Sequence, residues 1–148
     1  SIEISRKLSL SAGLTKVTNA FYRDTAPRVY VDRAPHFVAN AGITLSNWKG
    51  WSGSLRMRSI NSYRLDGEDP SIRAAGHTVF DLSLVRKLRR NLDASFAIDN
   101  FTDRLYYETQ NNVESRPLRG GPAITGIHAT PGYPLTVTVG LTFRFRGK

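Results

Sequence analysis

Six arginines are the residues best suited to ligand binding in this chain. Each lies in a polar segment between stretches in which apolar and polar residues alternate. They are Arg28, Arg33, Arg64, Arg73, Arg116 and Arg119. A guanidinium group is planar, always charged and pairs with two oxygens of one anion. The set can therefore bind an anionic, oxygen-rich ligand, although solvated loop charges are the simpler interpretation. The predicted ligand-binding residues are Arg64, Arg73, Tyr107, Arg116, Arg119 and His128.

A second set of polar residues lies within the stretches in which apolar and polar residues alternate. It consists of Arg56, Arg58, Asp81 and Asp99. Alternation places these side chains on one face of a sheet, opposite the apolar residues. We predict cross-strand ion pairs on this polar face, with the lining of a polar passage as the alternative.

The sequence gives no sign of catalytic or metal chemistry. His36, His77 and His128 are scattered over three segments without metal-ligand spacing, and the chain has no cysteine. The Gly120-Gly121-Pro122 run breaks a loop and does not lie between a strand and a helix, as a phosphate-binding loop would. No Ser–His–Asp or paired-carboxylate arrangement is evident. We therefore expect no enzyme activity, no cofactor and no metal site.

The clearest structural element is the final alternating stretch. From Tyr133 to Phe145 every odd position is large and apolar, and from Thr136 the even positions are small or polar. This pattern predicts one strand with an apolar face and a polar face. Its 13 residues exceed the usual length of about five or six, and a tilted membrane-crossing strand needs roughly 9–11.

The same alternation recurs upstream and predicts six full strands plus a strand end at Ser1–Ser5. A phase slip after Lys16 predicts a β-bulge, and a strand extension is expected at Leu105–Tyr107. Connections alternate between short and long. The short ones are Arg6-Lys7, Ser46–Gly50 and Arg86–Asn91, and the long ones are Arg23–Pro35, Arg64–Gly76 and Asn100–Gly132. An antiparallel up-and-down meander through an outer membrane shows this alternation of short and long connections.

The formal net charge is +9, which admits nucleic-acid or anionic-membrane binding. The predicted short-turn end holds ten cations: Arg6, Lys7, Lys49, Arg86, Lys87, Arg89, Arg90, Arg144, Arg146 and Lys148. The long loops are nearly balanced in charge. A nucleic-acid groove places cations beside aromatic residues, whereas here the aromatics lie opposite Arg56 and Arg58. We therefore expect no nucleic acid, and we predict rim positions for Tyr22, Tyr63, Tyr106 and Tyr107.

Three segments resemble TonB-dependent outer-membrane receptors. Phe80–Tyr107 resembles the last strands of that family, and Asn100–Tyr107 (NFTDRLYY) is similar to its N-L-F-D-K-x-Y motif. Pro131–Phe145 (PGYPLTVTVGLTFRF) resembles the final P-G-x-P-R-T-aromatic strand, and Arg33–Leu45 resembles a repeated strand entry. The family usually ends on the aromatic residue, whereas here Arg146-Gly147-Lys148 follow it.

The resemblance implies an all-β fold: an antiparallel up-and-down transmembrane β-barrel segment of about six or seven strands from a barrel of about 22. Residues 1–148 would be the C-terminal part of the receptor, with the plug domain absent. An open sheet edge is costly in lipid, so the segment needs the rest of its barrel, another copy of itself or a rearranged small barrel.

It further implies a receptor in the bacterial outer membrane that takes up a scarce solute such as a ferric siderophore. Implied partners are outer-membrane lipid, the remaining barrel and plug, a TonB-type energising protein acting through that plug, and a metal chelate. The longest loop, Asn100–Gly132, is the expected ligand-facing loop. Two alternatives stay open: a complete eight-stranded outer-membrane barrel with a structural or adhesive role, and a basic soluble β-protein that binds nucleic acid.

Overall fold

The computed structural model describes residues 2–18 and 20–145, which form thirteen β-strands and no helix, so none of them forms a membrane-spanning helix. The main sheet contains β1 (Ile2–Ser5), β2 (Leu8–Lys16), β5 (Phe37–Trp48), β6 (Trp51–Ile60), β9 (His77–Arg89), β10 (Leu92–Asp99) and β13 (Thr136–Phe143). Three separate hairpins contain β3 (Phe21–Arg23) with β4 (Val29–Tyr30), β7 (Tyr63–Arg64) with β8 (Arg73–Ala74), and β11 (Tyr107–Ser115) with β12 (Ile124–Pro131). Arg146, Gly147 and Lys148 lie outside the described residues.

The main sheet is the predicted antiparallel meander. Its strand order is β1-β2-β5-β6-β9-β10-β13, so each strand pairs with the next main-sheet strand along the chain. Tight turns connect alternate pairs at one end of the sheet. At the other end, each long connection folds into a hairpin of its own. The all-β class and the alternation of short and long connections are confirmed.

Several predicted boundaries are wrong. The last strand covers Thr136–Phe143 rather than the whole alternating stretch. Strand β9 continues to Arg89, because Arg86 and Lys87 keep their places in the ladder with neighbouring strands. The predicted six-residue turn therefore shrinks to Arg90-Asn91.

The phase slip after Lys16 has a simpler cause than a bulge. The register between β2 and β5 is unbroken from Leu8 to Lys16, and β2 ends there. The predicted strand extension also starts late: β11 begins at Tyr107, and Leu105 is outside any strand with its side chain exposed.

The apolar face of the sheet is largely exposed in the described chain, although the Phe101 ring lies 5.7 Å from the Phe80 ring. Val137, Val139 and Leu141 on β13 are 53%, 73% and 73% exposed. The buried hydrophobic residues lie elsewhere, at the long-loop end: Leu65, Ala74, Val79 and Tyr106. A soluble sheet buries its apolar face in a core; this sheet instead presents that face outward.

Candidate functional site

A cavity of about 370 Å³ opens on the polar face at the long-loop end of the sheet. It is lined by Arg56, Arg58, Asp81, Asp99, Asn100, Tyr106, Glu108 and Tyr133. All four residues that the sequence placed on the polar face line this one cavity. Of the other four, Asn100, Tyr106 and Glu108 lie in the longest connection, Asn100–Gly132, and Tyr133 directly follows it.

Strand register brings the first charges together. Arg56 on β6 lies directly opposite Asp81 on β9, and Arg58 follows on the same face. The distance from Asp81 Oδ2 is 3.9 Å to Arg56 Nη2 and 3.6 Å to Arg58 Nε. Asp81 is buried, whereas the two arginine side chains are 66% and 47% exposed. Exposed guanidinium groups are screened by water, so these pairs contribute little stability and leave donors available to a solute.

Glu108 connects the β11–β12 hairpin to this cluster. Its Oε1 lies 3.6 Å from Arg58 Nη1 and accepts a 2.9 Å hydrogen bond from the Tyr106 hydroxyl. Burial raises the pKa of Tyr106, and the bond to Glu108 raises this pKa further. Tyr106 therefore stays protonated and serves as a donor, not as a base.

Asn100 ties the segments behind the cavity together. Its backbone N–H donates to Asp81 Oδ1 at 3.1 Å, and its Nδ2 donates to the carbonyls of Arg104 and Tyr133 at 2.9 and 3.0 Å. Its Oδ1 accepts the Arg104 N–H at 3.0 Å. Asn100 is fully buried with φ of 50°, a left-handed conformation that asparagine tolerates better than most residues. Through its backbone N–H and its side chain, this one residue thus connects β9, the loop after β10 and the entry to β13.

The cavity can bind a polar solute by hydrogen bonds. It offers guanidinium donors from Arg56 and Arg58 and carboxylate acceptors, including Asp99, which has no cation within 4.0 Å among the described residues. Within residues 2–18 and 20–145, no group of three metal-ligating side chains occurs.

The six predicted ligand-binding residues do not converge on one site. Arg64 and Arg73 lie opposite each other in the β7–β8 hairpin. Arg73 Nη2 donates to the Ser62 carbonyl at 3.2 Å, while the Arg64 guanidinium carbon lies 4.2 Å from the centroid of the Tyr30 ring. The other four, Tyr107, Arg116, Arg119 and His128, belong to the β11–β12 hairpin and its tip.

On that second hairpin both predicted arginines are exposed. Arg116 and Arg119 lie beyond the end of β11 and are exposed. His128 Nε2 lies 3.0 Å from Ser115 Oγ, and Tyr107 is 40% exposed at the start of β11. Tyr106, by contrast, is not the predicted rim aromatic, because its ring is buried 4.7 Å from the His77 ring.

The loop end also carries a cluster of cations and tilted aromatic rings that sequence reasoning missed. The rings of Phe21 and Tyr30 lie 4.8 Å apart, with Arg28 5.4 Å from the first and Arg64 4.2 Å from the second. Arg28 also pairs with Asp24 at 3.3 Å. This cluster depends on the β3–β4 hairpin. The sequence predicted only a polar, proline-containing loop in this segment.

No protein-family model and no curated protein sequence match the chain. Its fold does match solved structures. The copper transporter OprC aligns with TM-score 0.66 and 18% identity over 97% of this chain and 22% of that one. The siderophore receptor PiuA from Acinetobacter baumannii aligns with TM-score 0.67 and 15% identity over 95% of this chain and 20% of that one.

A third structure gives the same result. The closed form of the ferric-catecholate import receptor Fiu from K12 E. coli aligns with TM-score 0.66 and 19% identity over 96% of this chain and 19% of that one. The chain therefore spans about a fifth of the length of the solved proteins it matches. Its fold is that of a segment of a TonB-dependent receptor barrel.

Proposed function

We propose that this chain forms barrel wall and external ligand-gathering loops of an outer-membrane receptor that takes up a scarce solute. The observation that carries the proposal is the largely exposed apolar face of the main sheet, with the small core confined to the loop end. Contact with hydrocarbon lipid is favourable for such an apolar face, whereas its exposure to water is unfavourable. The hairpin end then faces the outside of the cell and the tight turns face the periplasm.

The solute that best suits the loops is a metal chelate with anionic aromatic groups, such as a ferric siderophore. The structural neighbours are named for copper transport, a siderophore and ferric catecholate import. In this chain, Arg28 and Arg64 lie over the adjacent, tilted rings of Phe21 and Tyr30. Aromatic faces and guanidinium groups together suit a ring that bears charged oxygens. The role is binding and transport, with no bond broken.

Further strands and a plug complete the proposed receptor. In the described sheet β1 pairs only with β2, and β13 pairs only with β10, so one edge of each has no partner. In lipid each unpaired backbone group costs several kcal/mol, so both edges need neighbouring strands. We assign residues 1–148 to the C-terminal part of this barrel. Coupling to a TonB-type energising protein would pass through the plug.

A loop exchange tests the ligand-gathering role. Residues 111–128, which contain the tip of the β11–β12 hairpin, are replaced by a short Gly-Ser turn in the receptor that carries this chain. Asn100, Tyr106, Glu108, Gln110 and Gly132 are retained because they anchor the hairpin. We expect cell-surface binding of a radioiron-labelled catecholate chelate to fall at least about tenfold, the loss of several charge-assisted contacts.

Assembly serves as the control for this exchange. The barrel should keep its heat-modifiable migration on gels, because no anchor residue is removed. Arg64→Ala, on a different hairpin, should weaken chelate binding without altering assembly. Unchanged binding in both variants would refute the assignment of these loops as the ligand surface.

A further inference from the structure

The two tryptophans of the chain lie at one turn and on one face. Trp48 ends β5 and Trp51 begins β6, and they are direct partners across the turn. Trp51 shares its face with Leu55, and Trp48 shares it through the pairing. The rings are 50% and 40% exposed. Both therefore lie at the end of the apolar face, where the sheet reaches the tight turns.

Two cations are fixed against these rings. Lys49 Nζ lies 5.7 Å from the Trp48 ring centroid, and the Arg86 guanidinium carbon lies 5.0 Å from the Trp51 centroid. Arg86 is the register partner of Trp51, and its Nη1 donates to the Lys49 carbonyl. Positive φ angles of 50° at Lys49 and 83° at Gly50 form the turn that presents this carbonyl. The other guanidinium N–H groups of Arg86 remain free to donate.

No carboxylate neutralises this pair within the described part of the chain. No Asp or Glu oxygen there lies within 4.0 Å of Lys49 or Arg86. The acids near this end point the other way. Asp93 pairs with Arg144 on the polar face, and Glu3 lies on the polar face of β1 because its neighbour Ile2 pairs with Leu10. The membrane side of this end is therefore cationic and aromatic.

A shallow groove continues the same surface. It has a volume of about 570 Å³ and is lined by Ser5, Lys7, Leu8, Leu45 and Trp48. Its walls are mainly apolar, and Lys7 provides a further cation at its edge. The combination of an apolar groove with adjacent cations is complementary to a molecule with a hydrocarbon chain and an anionic head.

We propose that Lys49, Arg86, Trp48 and Trp51, hereafter the tryptophan rim, bind anionic phospholipid headgroups of the periplasmic leaflet. Phosphate oxygens accept hydrogen bonds from Arg86 and Lys49. The indole rings lie at headgroup depth, where amphipathic aromatics are most stable, and an acyl chain follows the groove beside Lys7. This inference rests on the proposed membrane orientation but not on any transported solute.

Two adjacent residues provide a matched test. Arg86 and Lys87 carry the same charge on one strand, but Lys87 lies on the polar face opposite Asp93. The purified receptor that carries this chain is mixed with phosphatidylglycerol or phosphatidylcholine, and retained lipid is counted by native mass spectrometry. Arg86→Gln should lower the preference for phosphatidylglycerol about fivefold, the typical effect of one cation near an anionic surface. Lys87→Gln should leave it unchanged.

Tryptophan fluorescence gives an independent readout. Brominated phosphatidylglycerol in vesicles should quench the receptor more than brominated phosphatidylcholine, and W48F/W51F should reduce that difference. Equal quenching by both lipids, or equal loss of lipid preference in the Arg86 and Lys87 variants, would overturn the inference. Chelate uptake is measured separately, so a failed transport assignment is distinguishable from a failed lipid site.

Discussion

At the scale of single residues, Asn100 decides how the polar-face cavity is built. It combines a left-handed backbone with four hydrogen bonds to three segments. Substitution by alanine removes three of these bonds and leaves the backbone N–H and carbonyl of Arg104 and the carbonyl of Tyr133 without this partner. A buried unpaired group costs about 1–3 kcal/mol, and alanine also fits the positive φ poorly.

We expect Asn100→Ala to destabilise the barrel by about 2 kcal/mol or more. The measurement is the midpoint temperature of the heat-induced gel shift, which should fall. Asn112→Ala is the control, because Asn112 makes no side-chain hydrogen bond within the described residues. A midpoint equal to that of the control would show that Asn100 is dispensable.

The loop carboxylates provide a pH-dependent prediction. Asp66 Oδ1 accepts the N–H groups of Asp69 and Glu68, both at 2.8 Å, and these bonds lower its pKa from 3.8. The hydroxyl and then the N–H of Ser71 lower the pKa of Asp69 in the same way. A lowered folded-state pKa means that the loop is stabilised above pH 3.8 and loses this stabilisation as pH falls through the folded value.

We expect Asp66→Ala to increase hydrogen exchange at the Glu68 and Asp69 amides several-fold at pH 7. The difference from the unchanged protein should shrink as the pH falls below 3.8 through the lowered folded-state pKa and the carboxylate becomes protonated. Glu68→Ala, in the same loop, should have little effect. An Asp66→Ala effect of equal size across this pH range would exclude the charge as its cause.

At the scale of elements, the sequence predicted the strands of the main sheet and missed the hairpins at its long-loop end. Alternation is regular in strands with one apolar and one polar face, so the number and order of these strands could be predicted from the sequence. The loop hairpins lack this pattern, because segments distant in sequence hold them in place; the backbone N–H and carbonyl of Ala75, for example, both bond to the Gln110 side chain. Arg86 was predicted in a turn, whereas it lies on β9 opposite Trp51.

The same reasoning explains which parts of the candidate site could be predicted from the sequence. The face shared by Arg56, Arg58 and Asp81 follows from alternation alone. Glu108 and Tyr106 join them only because the longest connection folds back over the sheet, which no local pattern encodes. Asn100 was visible within a motif, but its structural role depends on Tyr133, 33 residues away.

The β11–β12 hairpin is held by close packing at its base. A Cβ on Gly132 would lie 2.2 Å from the Tyr106 ring, whereas a Cβ on Gly126 would meet nothing within 4 Å. Gly132 N–H also donates to the Tyr106 carbonyl at 2.9 Å. The glycine therefore permits the ring to lie flat against the chain.

We expect Gly132→Ala to displace Tyr106 and loosen the hairpin, at a cost of about 1–3 kcal/mol typical of overpacking. Spin labels at Asn112 should report increased motion in this variant. Gly126→Ala, in the same hairpin, should behave like the unchanged protein. Equal mobility in the two variants would show that the Tyr106–Gly132 contact does not anchor the hairpin.

At the scale of the whole molecule, the two faces of the main sheet have opposite environments. One face carries the large exposed apolar residues, and the other carries the charged cavity and the small core. Cations gather at the tight-turn end, while the hairpin end holds cations together with Asp24, Asp32, Asp66 and Glu108. This asymmetry is unnecessary for a protein in water, but it suits a wall between hydrocarbon and an aqueous lumen.

Adjacent residues on β13 test this directly. Val139 lies mid-strand on the apolar face and is 73% exposed, while Thr138 lies on the polar face. In a bilayer, Val139→Arg places a charge near the hydrocarbon midplane and should cost about 2–4 kcal/mol, whereas Thr138→Arg points to the lumen and should be nearly neutral. Folding into lipid vesicles across a urea series gives both values. If the two variants fold equally well, or if Val139→Arg is the more stable, the apolar face contacts water or protein and the membrane assignment fails.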